Sequence, residues 1–146
     1  MKTIVVGVDG SEGSKRALRW ACDAARREDD ATVVAIATWT YPVVAASPWM
    51  VGYDTPLDLS EPTTEVLNEA VAAITATGFP PDRIETRVVC GSAASTLIDA
   101  AKDADLLVVG SRGLGGFAGL LLGSVSHQIA AHAPCPVVVV PPPTDD

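Results

Sequence analysis

Residues Leu106–Ser126 read LLVVGSRGLGGFAGLLLGSVS. Leu106–Val109 is a short apolar run, introduced by Asp105, and suits a strand. The chain then breaks into glycines and restarts as a helix candidate over Ser124–His132. The frame is Gly110-x-x-Gly113, nine residues, then Gly123-Ser124. A strand that turns sharply into a helix is the repeating half of an α/β fold.

Working outward, the same grammar recurs. Thr3–Val8 (TIVVGV) is apolar without clean alternation, as expected of a strand buried on both faces. It ends at the turn cluster Asp9-Gly10-Ser11, where Ser11 or Ser14 can cap the next helix. In that helix Ala17, Leu18, Ala21, Cys22 and Ala25 fall at helical spacing. Arg16, Arg19, Arg26 and Arg27 are expected to face water. Thr32–Trp39 is the second strand candidate. The link between the two strands contains a helix, so the pair reads as a right-handed βαβ unit.

Residues 40–62 break the pattern. Four prolines (Pro42, Pro48, Pro56, Pro62) and Gly52 mark a long loop that also holds Tyr41, Trp49 and Tyr53; with the adjoining Trp39 these are four of the chain's seven aromatics. Loops of this length inside compact domains tend to be functional or disordered. It reads either as a surface loop tucked on the core or as a flap beside a ligand or partner subunit. Glu61–Thr77 is then an amphipathic helix, stopped by Gly78 and Pro80-Pro81. Ile84–Val89 alternates at first, as a partly exposed strand near a sheet edge does. Gly91-Ser92 opens a helix with Leu97, Ile98 and Ala101 on its apolar side. Val137–Val140 is a last apolar strand, followed by the tail 141–146.

The bulk properties set bounds. With 146 residues the chain is expected to form one domain, residues 1–146. A net charge of −8 argues against nucleic-acid binding, which needs clustered Lys and Arg. It does not argue against a small phosphate ligand, because backbone N–H groups at a helix start bind phosphate unaided. Cys22, Cys90 and Cys135 form no C-x-x-C pair and read as buried small apolar residues. No signal peptide or 18-residue apolar run is legible, so no membrane association and a cytoplasmic location are expected.

The glycine frame can be set against known phosphate loops. A Walker A loop needs Gly-Lys-Ser/Thr, and no lysine lies between Gly110 and Ser126. Gly113-x-Gly115-x-x-Ala118 has the dinucleotide form, but it falls in the penultimate unit. No Asp or Glu lies between Asp105 and Asp145 to hold a ribose. What remains is a frame in which Gly110 and Gly113 allow a close turn and Gly123-Ser124 restarts a helix. That helix offers N–H groups at Ser124 and Val125 and the Ser124 hydroxyl. A glycine loop that merely changes direction is the competing reading. In a doubly wound sheet the ligand sits outside the strand C-termini where strand order reverses. With order 3-2-1-4-5, Asp9 and Gly110 face one crevice there.

The opening IVVGVDGS, the strand-to-loop LLVVGSRG, the frame at Gly110, Gly113, Gly123 and Ser124, and the closing HAPCPVVVV resemble the universal stress protein family over nearly the whole chain. The resemblance implies a five-stranded, doubly wound parallel sheet of order 3-2-1-4-5 with helices on both faces. It also implies the ATP-binding branch, since every position of the G-x-x-G-x9-G-[ST] motif is filled. Gly110 and Gly113 would then lie against ribose and phosphates, with Val109 at the strand end. Gly123, Ser124 and Val125 would hold the phosphates. Gly7, Val8 and Asp9 would line the crevice, and Thr38 would border the adenine. Asp9 would accept a hydrogen bond from the nucleotide or help hold Mg²⁺. The family also includes binders of AMP and cyclic AMP.

Other residues allow two readings each. Arg112, inside the loop, is placed to reach a phosphate or to stand in solvent. His127, three residues past Ser124, reads as a helix-surface or interface histidine, with a catalytic base as the sharper alternative. No acid partner is placed by spacing, so fast catalysis is not expected; slow ATP hydrolysis is compatible. In the family, subunits pair through the last strand, so Val137–Val140, an apolar edge that needs cover, implies a homodimer.

Overall fold

The computed structural model describes residues 2–41, 57–112 and 122–143. Five strands, β1 (Thr3–Gly7), β2 (Thr32–Trp39), β3 (Ile84–Cys90), β4 (Leu106–Gly110) and β5 (Val137–Val140), form one sheet of order β3-β2-β1-β4-β5. All four pairings are parallel. Among the described residues the connecting α-helices are α1 (Glu12–Arg26), α2 (Ser60–Thr75), α3 (Ala93–Ala101) and α4 (Ser124–His132). This is the doubly wound α/β arrangement expected from the sequence.

The unbroken apolar runs of β1, β2 and β4 reflect burial on both faces. Ile4, Val6, Val33, Ala35 and Val108 pack with Ala17, Leu18 and Ala21 of α1 and Leu67, Ala70 and Ile74 of α2. The alternate residues Val5, Val34, Ile36, Leu107 and Val109 pack with Leu97 and Ala101 of α3 and Ile129 of α4. The two helix pairs therefore cover opposite faces, and the strand period of two divides the core between them.

Element ends depart from expectation by small, explicable amounts. β1 stops at Gly7, although the Val8 N–H still donates to Ile36 O (2.9 Å). Helix α2 begins at Ser60, so Pro62 sits in its first turn rather than in the preceding loop; that turn needs no N–H from it. The rest of the proline-rich stretch, 42–56, lies outside the described residues. Of the cysteines, only Cys22 is fully buried; Cys135 is half-buried and Cys90 is exposed on edge strand β3. Arg16, expected to face water, is half-buried, and its Nε is buried without a hydrogen-bond partner.

One residue without a sequence signal holds the α1–β2 connection. Arg83 closes a short 3-10 turn (Pro81–Arg83) and donates to Ala31 O (3.0 Å), Ala25 O (2.7 Å) and Glu28 O (2.8 Å). Its guanidinium also lies over buried Phe79, 5.6 Å from the ring centroid. Main-chain carbonyls at and beyond the α1 C-terminus thus gain a charged donor.

Arg83→Ala should lower unfolding free energy by about 2–3 kcal/mol, because charge-assisted bonds to part-buried carbonyls are lost. Arg83→Lys should recover only part of it, since an ammonium lacks the planar fork. Urea denaturation reads both, and an Arg83→Ala midpoint equal to wild type would refute the role. Burial pushes the Cys22 thiol from 9.0 up to about 12. The unfolded chain therefore ionises this thiol first, and its contribution to stability should be whole below pH 9 and decline as pH rises toward 12. Cys22→Ala should flatten the decline of stability with pH in that window.

Candidate functional site

Parallel pairing brings the C-terminal ends of β1, β2 and β4 to one side of the sheet. Gly7 pairs with Ile36 and Val6 with Val108. Extending these registers sets Thr38 level with Asp9, and Val8 level with Gly110. Five of the expected site residues (Val8, Asp9, Thr38, Val109, Gly110) thus share one rim, where the chain order reverses between β1 and β4. Gly7 also belongs to this end, but its open side is filled by Leu97 of α3, whose Cδ1 lies 2.8 Å from where a Cβ would stand.

Asp9 is part of the cap of α1. Its carboxylate accepts from the Ser11 N–H (2.9 Å) and from the Ser11 hydroxyl. The Ser11 oxygen in turn accepts from the Ser14 N–H (3.1 Å), the usual N-cap bond. Buried Ser14 donates to Ser11 O (2.9 Å) and accepts from the Asp9 N–H (3.2 Å). Both serines therefore serve the helix start, and Ser11 is the cap. Gly10 makes the turn with φ +84°, a conformation that suits glycine.

Gly110 is glycine for a reason the sequence did not show. Its φ is not positive; instead, a Cβ there would lie 2.8 Å from the carbonyl carbon and oxygen of Gly13. Reciprocally, a Cβ on Gly13 would lie 2.6 Å from the Arg112 carbonyl oxygen. The first turn of α1 thus rests backbone-to-backbone on the end of β4. Arg16 lies one turn on, its guanidinium 3.7 Å from that same hypothetical Gly13 Cβ. Arg112 is half-buried. Gly113 and the rest of the loop to residue 121 lie outside the described residues.

The described residues continue from Leu122. Gly123 is the N-cap of α4, with φ −70° and ψ 166°, and no side chain caps this helix. The Gly123 N–H, expected among phosphate donors, is engaged by Ser111 O at 2.6 Å. The Gly123 carbonyl accepts from His127 N (2.9 Å), the first bond of the helix. Ser124 and Val125 are exposed, and their N–H groups have no acceptor within the helix. An anion there would gain about 0.3–1 kcal/mol from the helix dipole. Buried Ser126, which sequence reading passed over, donates its hydroxyl to Gly110 O at 2.5 Å. His127 is exposed on α4.

Thr38 is half-buried, and beyond it Trp39 and Tyr41 stack edge to face with centroids 4.9 Å apart. Among the described residues no group of three or more His, Cys, Asp or Glu gathers to hold a metal. No helix among them is long and apolar enough to cross a membrane.

A doubly wound sheet with a glycine break after β4, facing an acidic β1 turn, defines a class of small α/β proteins with a crevice at the switch point. The profile of the Universal stress protein family matches residues 1–141, and the chain belongs to that family. A universal stress protein of Mycobacterium tuberculosis is 38% identical over 141 residues, covering 96% of this chain and 48% of that protein. The chain spans about half the length of the curated relatives it matches. A universal stress protein crystallised in complex with cAMP is 33% identical, with TM-score 0.69 and 95% of each chain covered. One from Lactobacillus plantarum, 23% identical, shares the fold with TM-score 0.67, covering 95% of this chain and 97% of its own.

Gly110→Ala should destabilise the chain by about 1–3 kcal/mol, because backbone rather than a flexible side chain occupies the space. Thermal denaturation checks this, and a Gly110→Ala midpoint within error of wild type would contradict the close approach.

Proposed function

We propose that this chain binds an adenine nucleotide, with ATP as the leading ligand, in the crevice between the ends of β1 and β4. The observation that carries the reading is the start of α4. It follows the filled G-x-x-G-x9-G-S frame, no side chain caps it, and its next N–H groups are at exposed Ser124 and Val125. Gly113, with Gly110, would lie under the ribose and phosphates, and Arg112 would reach a phosphate. Gly7, Val8, Asp9, Val109 and Thr38 would line the crevice. The Gly123 N–H stays with Ser111 in this arrangement, so Gly123 would contribute close approach rather than a donor.

Mg²⁺ fits as a companion of the phosphates rather than as a resident ion. Asp9 is the carboxylate at this rim, and Mg²⁺ commonly takes one or two carboxylates with the remaining ligands from phosphate and water. The function would be a stress-response or signalling role, in which nucleotide occupancy is passed on through conformation or partner binding. Hydrolysis would be slow, because no oriented base and charge-stabilising pair is assembled among the described residues. The chain would act as one domain, in the cytoplasm, as a homodimer through Val137–Val140.

A second reading, cyclic AMP as ligand, is favoured by the relative in complex with cAMP, at 33% identity. Both readings place the same phosphate-facing turn.

Calorimetric titration of nucleotide-free protein should show ATP binding, weakened at least tenfold by Gly113→Ala and by Ser124→Ala. Absence of binding by wild type, or wild-type affinity in both variants, would remove the assignment. Parallel titration with cyclic AMP decides between the ligands. ADP release followed over hours should be slow, and slower still in Asp9→Ala. Sedimentation at micromolar concentration should give the mass of a dimer.

A further inference from the structure

The loop that follows β4 has an opening end at Gly110-Ser111 and a closing end at Gly123–Ser126. Two hydrogen bonds tie these ends together. The Gly123 N–H donates to Ser111 O (2.6 Å), and the Ser126 hydroxyl donates to Gly110 O (2.5 Å). The Ser111 N–H in turn donates to Val140 O (3.0 Å), so the opening end is held to β5 as well. The adjacent carbonyls of Gly110 and Ser111 thus each receive a donor from the start of α4, one from the N-cap and one from three residues on.

The two bonds differ in what they fix. A backbone bond at the N-cap holds the helix start near the strand but leaves the turn free to rotate about that point. A second bond from Ser126, three residues on, removes this rotation. Ser124 and Ser126 are about 200° apart around the helix axis. Aiming Ser126 inward at Gly110 therefore sets Ser124 outward, as their burial shows: Ser126 is 4% exposed, whereas Ser124 and Val125 are exposed. A buried hydroxyl with a single backbone acceptor would be an expensive residue at a core position unless the bond is made.

We propose that Ser126 is a positioning residue for phosphate binding: through Gly110 O it sets the orientation in which the Ser124 and Val125 N–H groups meet a nucleotide. This rests on the nucleotide-binding reading above. Its own content is that the orientation depends on Ser126, a residue outside the G-x-x-G-x9-G-S frame.

The test compares wild type with Ser126→Ala, Ser126→Thr and, as a stability control, Ile129→Val. Ile129 is buried on the same helix, and no hydrogen bond joins its side chain to the strand end. Two measurements are made on each protein: ATP affinity by calorimetry, and exchange of the Gly123 amide by NMR. Ser126→Ala should weaken ATP binding about fivefold to tenfold and speed Gly123 exchange about tenfold. Ser126→Thr, which keeps the hydroxyl, should restore both toward wild type. Ile129→Val should lower thermal stability yet leave ATP affinity within about twofold. Equal ATP affinity in Ser126→Ala and wild type overturns the proposal, as does equal weakening in Ile129→Val. If wild type binds no ATP, the nucleotide reading fails instead. The Gly123 amide then decides whether Ser126 orients the turn: unchanged exchange in Ser126→Ala overturns this too. Should Ser126→Ala not fold, Ser126→Cys, of similar size but a weak donor, takes its place.

Discussion

The contact on which the crevice depends is between two stretches of bare backbone. A Cβ on Gly110 at the end of β4 would strike the Gly13 carbonyl in the first turn of α1, and a Cβ on Gly13 would strike the Arg112 carbonyl just beyond β4, so neither position has room for one. Helix α1 is thereby drawn down onto the strand end, which places its N-terminal cap, with Asp9 and Ser11, beside the start of the glycine loop. A side chain at either position would lift the helix start and move the acidic turn away. The apolar packing of Ala17, Ala21 and Ala25 against the sheet extends the same economy of size along the helix.

On the other face, α4 is held by polar bonds rather than by absent side chains. Its buried apolar contribution is small, with Ile129 the fully buried apolar side chain of the helix. The bonds from Gly123 and Ser126 to the strand end compensate for that thin packing. The loop between Gly110 and Gly123 therefore leaves from, and returns to, positions defined by two different kinds of constraint. Close contact excludes alternatives by repulsion, and hydrogen bonds select among them by direction.

Much of this architecture was legible in the sequence because burial on both faces writes uninterrupted apolar runs. β2, α4 and β5 fell where their patterns placed them, and the alternation of Ile84–Val89 marked an edge strand correctly. Gly110 was legible as a necessary glycine, but the reason was not: sequence suggests turns, whereas the requirement is a neighbour 97 residues earlier in the chain. Arg83 carried no signal because its acceptors are main-chain carbonyls, which every residue possesses. Ser126 was hidden for a related reason, since a serine in a polar helix start looks like solvated surface. Arg16 was misplaced because periodicity assigns faces to a helix without knowing how deep a neighbouring strand end reaches.

The two edges of the sheet are unlike. β3 shows exposed Glu85, Thr86 and Arg87, with Glu85 and Arg87 ion-paired at 2.8 Å, whereas β5 is four half-buried valines. Strand addition is thus chemically welcome on one side and discouraged on the other. If two copies join by their valine strands across a two-fold axis, both outward-facing edges of the resulting ten-stranded unit are the charged kind. Growth would then stop at two, so the asymmetry between the edges would set the limit of such an assembly and keep a valine-rich sheet from polymerising.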